Sequence, residues 1–372
     1  MNTTSAYAAH RALLRVVQVS GGLFVWVALY AALTLSLHDV RSAFIGIVLA
    51  YALSHALTIL FLPLCMEGIE NGIRRMMLLG TGVLSFSFAF LALTFGAWGD
   101  EGTLWNVMIF AALWGLYRTL YLVPYEVASR TRRSLLVEFC LTIVPFLTAL
   151  MFVLFDEGPR GVFVASSILT LLSMLPLFSV PDSREYFAWS SGEVYRRLFD
   201  VRSRELVVRA FLGGLERAAF LLVWSLVILT WVKSLLLWGI IMSFTLLTMM
   251  LFALVRARVH RAMPQTPLVL ETARISTWIL RGLAASPAGV LFVQLYSIAM
   301  PQSVIHDVSD AGIYIDEYTA LKEVAASIGA VLLCAFAALC ATILSIPLTA
   351  FWCFVLVAVL GTFVRLTQYE RF

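Results

Sequence analysis

The chain has 372 residues, of which 61% are apolar and only 13% charged, and its mean hydropathy is +0.93. Soluble domains run near half apolar and a quarter charged, so this much hydrocarbon excludes a single soluble core and makes lipid the main solvent. The formal charge of +4 comes from 24 arginines and 2 lysines against 22 acidic residues; arginine suits lipid phosphates, a codon bias explains the ratio at least as well, and no basic tract with interleaved aromatics marks a nucleic-acid surface.

After ten polar residues, the apolar run from Val19 to Leu37 is too long for a signal-peptide core and reads as a retained first span. Segments near the ~20 residues that a crossing helix needs fall at about 16–37, 41–63, 76–98, 104–125, 135–155, 161–180, 208–232, 234–255, 267–283, 286–304, 321–344 and 346–366. The expected fold is therefore all-α, a polytopic membrane protein of twelve transmembrane helices. The ninth segment carries Glu271, Arg274 and Arg281 and is separated from the tenth only by "AASPAG". Were the two one broken segment, the count would change and the C-terminus would switch sides.

Charge placement tests the count. With both termini cytoplasmic, nineteen of the 26 basic residues fall in cytoplasmic segments, four fall outside, and Arg118, Arg217 and Arg274 lie within spans. The positive-inside rule then fixes the orientation, in a plasma membrane or a bacterial inner membrane.

Within the spans, polar residues are expensive and therefore informative. Gln18 on the first span is a weak candidate for the cavity. The second carries Tyr51, Ser54, His55 and Thr58 on one face, with His55 as a secondary proton-relay candidate or a packing residue. On the fourth, Trp114, Tyr117, Arg118, Tyr121 and Tyr125 share a face that Glu126 closes. Arg118 lies about two turns inside and is expected to line a central cavity, selecting an anionic or carboxylate-bearing solute or pairing with a coupling carboxylate; snorkelling is the competing reading. On the seventh span Glu216 and Arg217 point about 100° apart and need separate partners. Glu216 is the better candidate for protonatable coupling, since burial favours a neutral carboxyl; a structural ion pair with Arg118 or Arg209 is the alternative. Gln294 on the tenth is a weak candidate. Glu138 and the Lys322/Glu323 pair begin the fifth and eleventh spans at matching positions and read as inner-gate or helix-end charges.

Two loops suggest a second constellation. Arg130, Arg132 and Arg133 follow the fourth span, and Asp307 and Asp310 follow the tenth. Opposite charge at related positions would attract as an inner mouth closes, although solvated loops without contact fit as well.

The connector 181–205 separates residues 1–180 from 206–372, six spans in each. Within it Val194, Leu198 and Val201, with Tyr195 and Phe199, recur at helical spacing against Arg196, Arg197 and Arg202, the pattern of an amphipathic helix on the inner membrane surface or of a solvated linker. The halves are weakly alike: "LLRVVQVSGGLFVWVALYAALT" matches "VVRAFLGGLERAAFLLVWSLVILT", "LYRTLYLVP" matches "LYSIAMP", and "LLVEFCLTI" matches "ALKEVAASI". Two pseudo-symmetric six-helix bundles around a midplane site are the mark of a secondary transporter.

The loop "CMEGIENGIRRMMLLGTG" resembles the signature between the second and third spans of the major facilitator superfamily: glycine, three residues, aspartate, a basic residue, any residue, glycine, any residue, two basic residues. Gly72, Arg74 and Arg75 occupy its last half. Cys65, Ile69 and Glu70 replace the first glycine, the aspartate and the first basic residue, and Glu67 stands nearby as a substitute carboxylate. With the spans, connector and repeat, the resemblance covers essentially the whole chain. It implies alternating access by two rocking halves, with the loop latching one state; Arg74 and Arg75 as plain topology markers are an equal alternative. It further implies a small-molecule solute, protons as coupling ion and membrane lipids as partners, a monomer, and no cofactor.

Competing functions are a lipid transporter or scramblase, a scaffold with a transporter's shape, and an integral-membrane enzyme. The last has no catalytic grouping behind it: the five histidines are scattered, and there is neither a metal-ligand spacing nor a phosphate-binding glycine loop. The five cysteines fit packing better than a disulfide framework.

Overall fold

A computed structural model describes residues 3–95, 102–128, 135–154, 158–184, 189–259, 267–299 and 315–369. Every regular element among them is helical. Helix α1 (Ser5–Leu37) runs through a π-helical turn at Gln18–Gly22. It is followed by α2 (Val40–Met66), α3 (Ile73–Thr94), α4 (Gly102–Ala128), α5 (Val137–Leu154, broken by a turn at 142–143) and α6 (Gly158–Ser179). After the connector helix α7 (Ser191–Arg197) come α8 (Arg204–Val232, with a π-helical turn at Ala219–Trp224), α9 (Leu235–Val259), α10 (Pro267–Leu283), α11 (Pro287–Ala299), α12 (Ile315–Ile343) and α13 (Ile346–Tyr369).

Among the described residues, nine of these helices are long and apolar enough to cross a membrane: α1–α6, α8, α12 and α13. The other three expected spans coincide with α9, α10 and α11, so length and apolarity do not establish a count of twelve. In α9 the apolar stretch among the described residues is Leu235–Thr248. The 17 residues of α10 rise about 26 Å, short of the ~30 Å of bilayer hydrocarbon. Even so, α10 and α11 are separate helices, because a turn at 284–286 parts them and Ser286 accepts from Gly289 N at 3.1 Å to start α11.

The same packing pairs occur twice. Helix α2 packs on α4, α3 on α4 and α3 on α6; α9 packs on α11, α10 on α11 and α10 on α13. Moving seven labels along the chain turns the first set into the second. It also interchanges the two long contacts across the middle, α2 with α12 and α5 with α9. The turns repeat too. His38 (φ 49°) and Lys233 (φ 53°), the two non-glycine residues of positive φ among those described, end α1 and α8. The next residue starts the following helix in each case: Asp39 accepts from Ser42 N at 3.0 Å, and Ser234 accepts from Leu237 N at 3.4 Å. Hydrogen bonds from Ser42 and Arg41 hold the exposed Asp39 carboxyl below its ordinary range.

Close packing comes from small residues, as expected where lipid supplies no hydrophobic drive between helices. On α8 a Cβ at Gly214 would meet the Ala326 carbonyl of α12, and one at Gly329 would meet the Phe211 carbonyl. Outward, Leu35, Leu93, Trp105, Leu339 and Phe363 are exposed, as apolar side chains facing acyl chains must be. The core between the halves is aromatic: the Phe24 ring on α1 meets Trp238 on α9 edge-on at 4.7 Å and stacks on Phe152 of α5 at 5.7 Å.

Among the described residues the connector holds one short helix. Helix α7 has 7 residues, capped by Ser190, and Val194 is buried against protein while Phe199 and Val201 are exposed. Tyr195 explains its position. Pro63 within α2 has no N–H for the Ile59 carbonyl four residues back, and the Tyr195 hydroxyl donates to that carbonyl at 2.7 Å. Trp189 packs edge-on against Tyr318 of α12 at 5.3 Å, so the strap touches the ends of both α2 and α12.

Candidate functional site

Four helices meet at one charged cluster: α2 with His55, α4 with Arg118, α8 with Arg217 and α12 with Glu323. On the polar face of α2, the Ser54 and Thr58 hydroxyls are spent on their own helix, donating to the Tyr51 and Ser54 carbonyls at 2.7 and 3.0 Å. Only His55 reaches across. Arg118 donates to its Nε2 at 2.7 Å. Arginine has no acceptor, so Nε2 carries the lone pair, and the proton on Nδ1 is donated to the Ser327 hydroxyl of α12 at 3.2 Å. While those contacts stand, His55 is neutral.

Arg118 also lies 3.6 Å from Glu323 Oε2, and Arg217 lies 3.8 Å from Oε1 of the same carboxylate. Arg118 and Glu323 are buried, whereas the Arg217 side chain is half exposed. Both distances are ion-pair contacts without hydrogen bonding, and among the described residues Oε2 of Glu323 and Nε of Arg118 have no hydrogen-bond partner. One carboxylate is thus shared by two guanidiniums and saturated by neither. Pairing across Arg118, His55, Glu323 and Ser327 ties α2 and α4 to the first half of α12.

The tyrosine stripe of α4 turns away from this cluster. Tyr117, Tyr121 and Tyr125 stack in a row at 5.4 and 5.2 Å between centroids, facing α1. Gln18, in the π turn, donates to the Tyr117 hydroxyl at 3.3 Å. His10 on α1 is buried between Ser173 and Tyr121. Its Nδ1 donates to the Ser173 carbonyl at 2.6 Å, so its Nε2 accepts from the Tyr121 hydroxyl at 2.8 Å.

The other sequence candidates separate from this centre. Glu216 and Arg217 do take separate partners: Glu216 pairs with Arg274 of α10 at 2.5 Å, and not with Arg118 or Arg209. Gly361 of α13 leaves the room that Arg274 occupies. Arg209 pairs with Glu205 one turn before it. Glu138 meets Arg15 of α1 at 3.0 Å, so the matching carboxylates Glu138 and Glu323 have diverged: one stays within its own half and the other joins the two halves. Gln294 is buried with both amide atoms unpartnered among the described residues. Arg130, Arg132, Arg133, Asp307 and Asp310 lie outside the described residues.

The loop signature keeps a carboxylate, from elsewhere. Gly72 has φ 129°, and a Cβ there would sit 2.5 Å from both Asp182 carboxylate oxygens, so glycine is required twice over. Asp182, in the connector, accepts from Arg74 N at 3.1 Å, capping α3, and pairs with Arg75 Nε at 3.1 Å. The Arg74 guanidinium donates to the Val180 carbonyl at 2.9 Å, and Ile73 N to the Ser183 carbonyl at 2.9 Å. A carboxylate at a helix N-terminus satisfies orphan N–H groups and the helix dipole together. The side chain of Glu67, the substitute expected from sequence, lies outside the described residues. Asp182→Ala is expected to destabilise the α3 start by about 1–2 kcal/mol and to speed proteolytic cleavage of the connector; an unchanged cleavage rate would show that the latch carries no weight.

Sequence reasoning placed Arg118, Arg217 and His55 as intramembrane polar residues and did not join Glu323 to them, because Glu323 reads as a helix-end charge until α12 is seen to begin at Ile315, two turns earlier. It had no signal for His10, which stands in a polar leader.

No protein-family profile matches the chain, and no curated protein does. Solved structures do match in shape. A nucleoside transporter, NupG, aligns over 100% of both chains with a TM-score of 0.63 at 12% identity. A D-xylose-proton symporter aligns over 96% of this chain and 95% of its own, with a TM-score of 0.63 at 14% identity. A POT family transporter in complex with 5-aminolevulinic acid aligns over 99% and 96%, with a TM-score of 0.62 at 12% identity. At these identities the likeness is one of fold, and it is the fold of the major facilitator superfamily.

Proposed function

We propose that the chain is a secondary transporter of a small anionic solute, working by alternating access between halves 1–180 and 206–372 joined by the strap 181–205. Its termini lie on the cytoplasmic side, as the arginine distribution requires. The observation that carries this reading is the single carboxylate of Glu323 held, unsaturated, between the guanidiniums of Arg118 and Arg217 where helices from both halves meet. The transporter neighbours support it, among them proton symporters of D-xylose and fucose.

The chemistry follows from charge balance. With Glu323 ionised and His55 neutral, the cluster holds two positive charges and one negative. If Glu323 takes up a proton and an anionic solute takes its place between the arginines, the net charge is the same. Loading therefore leaves the net charge of a low-dielectric site unchanged, whereas the proton alone would leave two guanidiniums without a counter-charge and the anion alone would meet an ionised Glu323 in the same place. Protonation and solute binding favour each other by the same coupling energy. In this scheme Glu323 takes the coupling role that the sequence alone assigned to Glu216, and Arg118 with Arg217 forms the anion clamp.

Purified protein in vesicles, with a proton-sensitive dye, should acidify its lumen when one of a panel of anionic metabolites is added outside. Glu323→Gln should abolish the proton signal while keeping solute exchange, and Arg118→Ala should abolish both. Uptake by Glu323→Gln that still moves protons would overturn the assignment.

A further inference from the structure

We propose that the second half carries a binding site for an anionic phospholipid headgroup, centred on Arg281 and separate from the central cluster. A cavity of about 580 Å³ opens among the ends of α8, α10 and α13, walled by Val227, Trp231, Leu283, Leu348 and Phe351 with Arg281 in its lining. That volume accommodates a ligand the size of a headgroup with its first carbons.

Among the described residues no carboxylate forms an ion pair with Arg281; Glu216 is near enough to act on it electrostatically and is paired with Arg274. On α10, Arg274 and Arg281 stand seven residues apart and share one face, opposite one acidic residue, Glu216 of α8. Arg274 takes that carboxylate at 2.5 Å. The guanidinium of Arg281 lies 4.4 Å from the Trp278 ring centroid and 5.1 Å from that of Phe220, its Nε has no hydrogen-bond partner among the described residues, and the residue is only 7% exposed. Among the described residues no acidic side chain forms an ion pair with it. Aromatic faces compensate part of the desolvation of a guanidinium; a buried cation without an anion remains unfavourable.

A bound anion completes the site. The walls are apolar, and Leu283 and Leu348 at its edge are exposed on the outward surface, where acyl chains run. An occupant with a negative head and an apolar body fits both features; a free anion would leave the apolar wall unused. The choice between lipid and free anion rests on that wall.

The test uses full-length protein in detergent, with native mass spectrometry counting bound phosphatidylglycerol, phosphatidylcholine or inorganic phosphate. Wild type should retain one phosphatidylglycerol in preference to phosphatidylcholine. Arg281→Gln should weaken that retention at least about tenfold, as loss of a charge-assisted contact does, and Arg281→Lys should restore part of it. Should Arg281→Gln fail to fold, Leu348→Trp decides the matter, because it narrows the cavity and leaves the arginine in place; it too should lose the lipid. Equal retention by wild type and Leu348→Trp, or displacement of the lipid by inorganic phosphate, overturns the proposal. None of these measurements depends on transport.

Discussion

Glu323→Ala is expected to lower the stability of the purified protein by ~3–5 kcal/mol, the cost of breaking a buried ion pair by removing one partner. Arg118 is buried and holds its charge against Glu323 and a neutral histidine. Without the carboxylate, no other acidic side chain among the described residues pairs with it, and Glu216 is held by Arg274. Arg217, half exposed, can turn toward water and loses less. Replacing both members, with Arg118→Met and Glu323→Leu together, should recover most of that stability, since an apolar pair of similar volume removes the stranded charge. The double variant should nonetheless transport nothing. Thermal unfolding in one detergent, with uptake measured in parallel, separates the two effects. A Glu323→Ala variant as stable as wild type would mean that Arg118 reaches solvent and the cluster is not the buried node described here.

Gly329→Ala should cost about 2–3 kcal/mol, and Gly329→Leu should remove folded protein altogether, because the added carbon meets a backbone carbonyl that cannot rotate aside as a side chain would. The Cβ at Gly329 would strike the Phe211 carbonyl, and Gly214 has the reciprocal relation to Ala326. These contacts set the distance between α8 and α12, and through it the position of Glu323 beside Arg217. Gly213, on the same helix, has open space around its Cβ position; there Ala should be neutral or stabilising by up to about 1 kcal/mol, since glycine is the poorer helix former. Yield and melting temperature of the three variants provide the comparison, and a tolerated Gly329→Leu would show that the helices part easily.

The two expectations differ in how far the sequence reaches. Apolar length marked helices α2–α6, α8 and α13 within a few residues of their ends, because each must cover the hydrocarbon by itself, and missed the polar starts of α1 at Ser5 and α12 at Ile315. It placed α10 at 267–283 and the start of α11 at 286, beside the observed Pro267–Leu283 and Pro287–Ala299. The arginines of α10 weaken its signal all the same: Arg274 and Arg281 meet Glu216 and Phe220 of α8, and hydropathy does not record partners. Asp39, Ser234 and Ser286 are short polar residues before apolar runs and are readable as helix starts. The π turns in α1 and α8 leave no comparable mark, since one extra residue in a turn is decided by neighbouring helices.

The charged residues divide in the same way. Arg118, Arg217, Glu216 and His55 stand out in sequence because polar groups in lipid are costly and few. Which of them meet does not. On paper Glu216 is the partner offered to Arg118 and Glu323 reads as a helix-end charge; the packing of α2, α4 and α12 selects Glu323 and leaves Glu216 to Arg274. The lost aspartate of the loop is replaced by Asp182, about 110 positions along the chain, which only the return of the connector to the start of α3 brings near. Sequence by itself determined that this chain lives in lipid as a bundle of helices and which side chains pay dearly to be there, since transfer free energy belongs to each residue alone. Tertiary structure decided the pairs, since an ion pair or a cap is a property of two groups and of the distance between them.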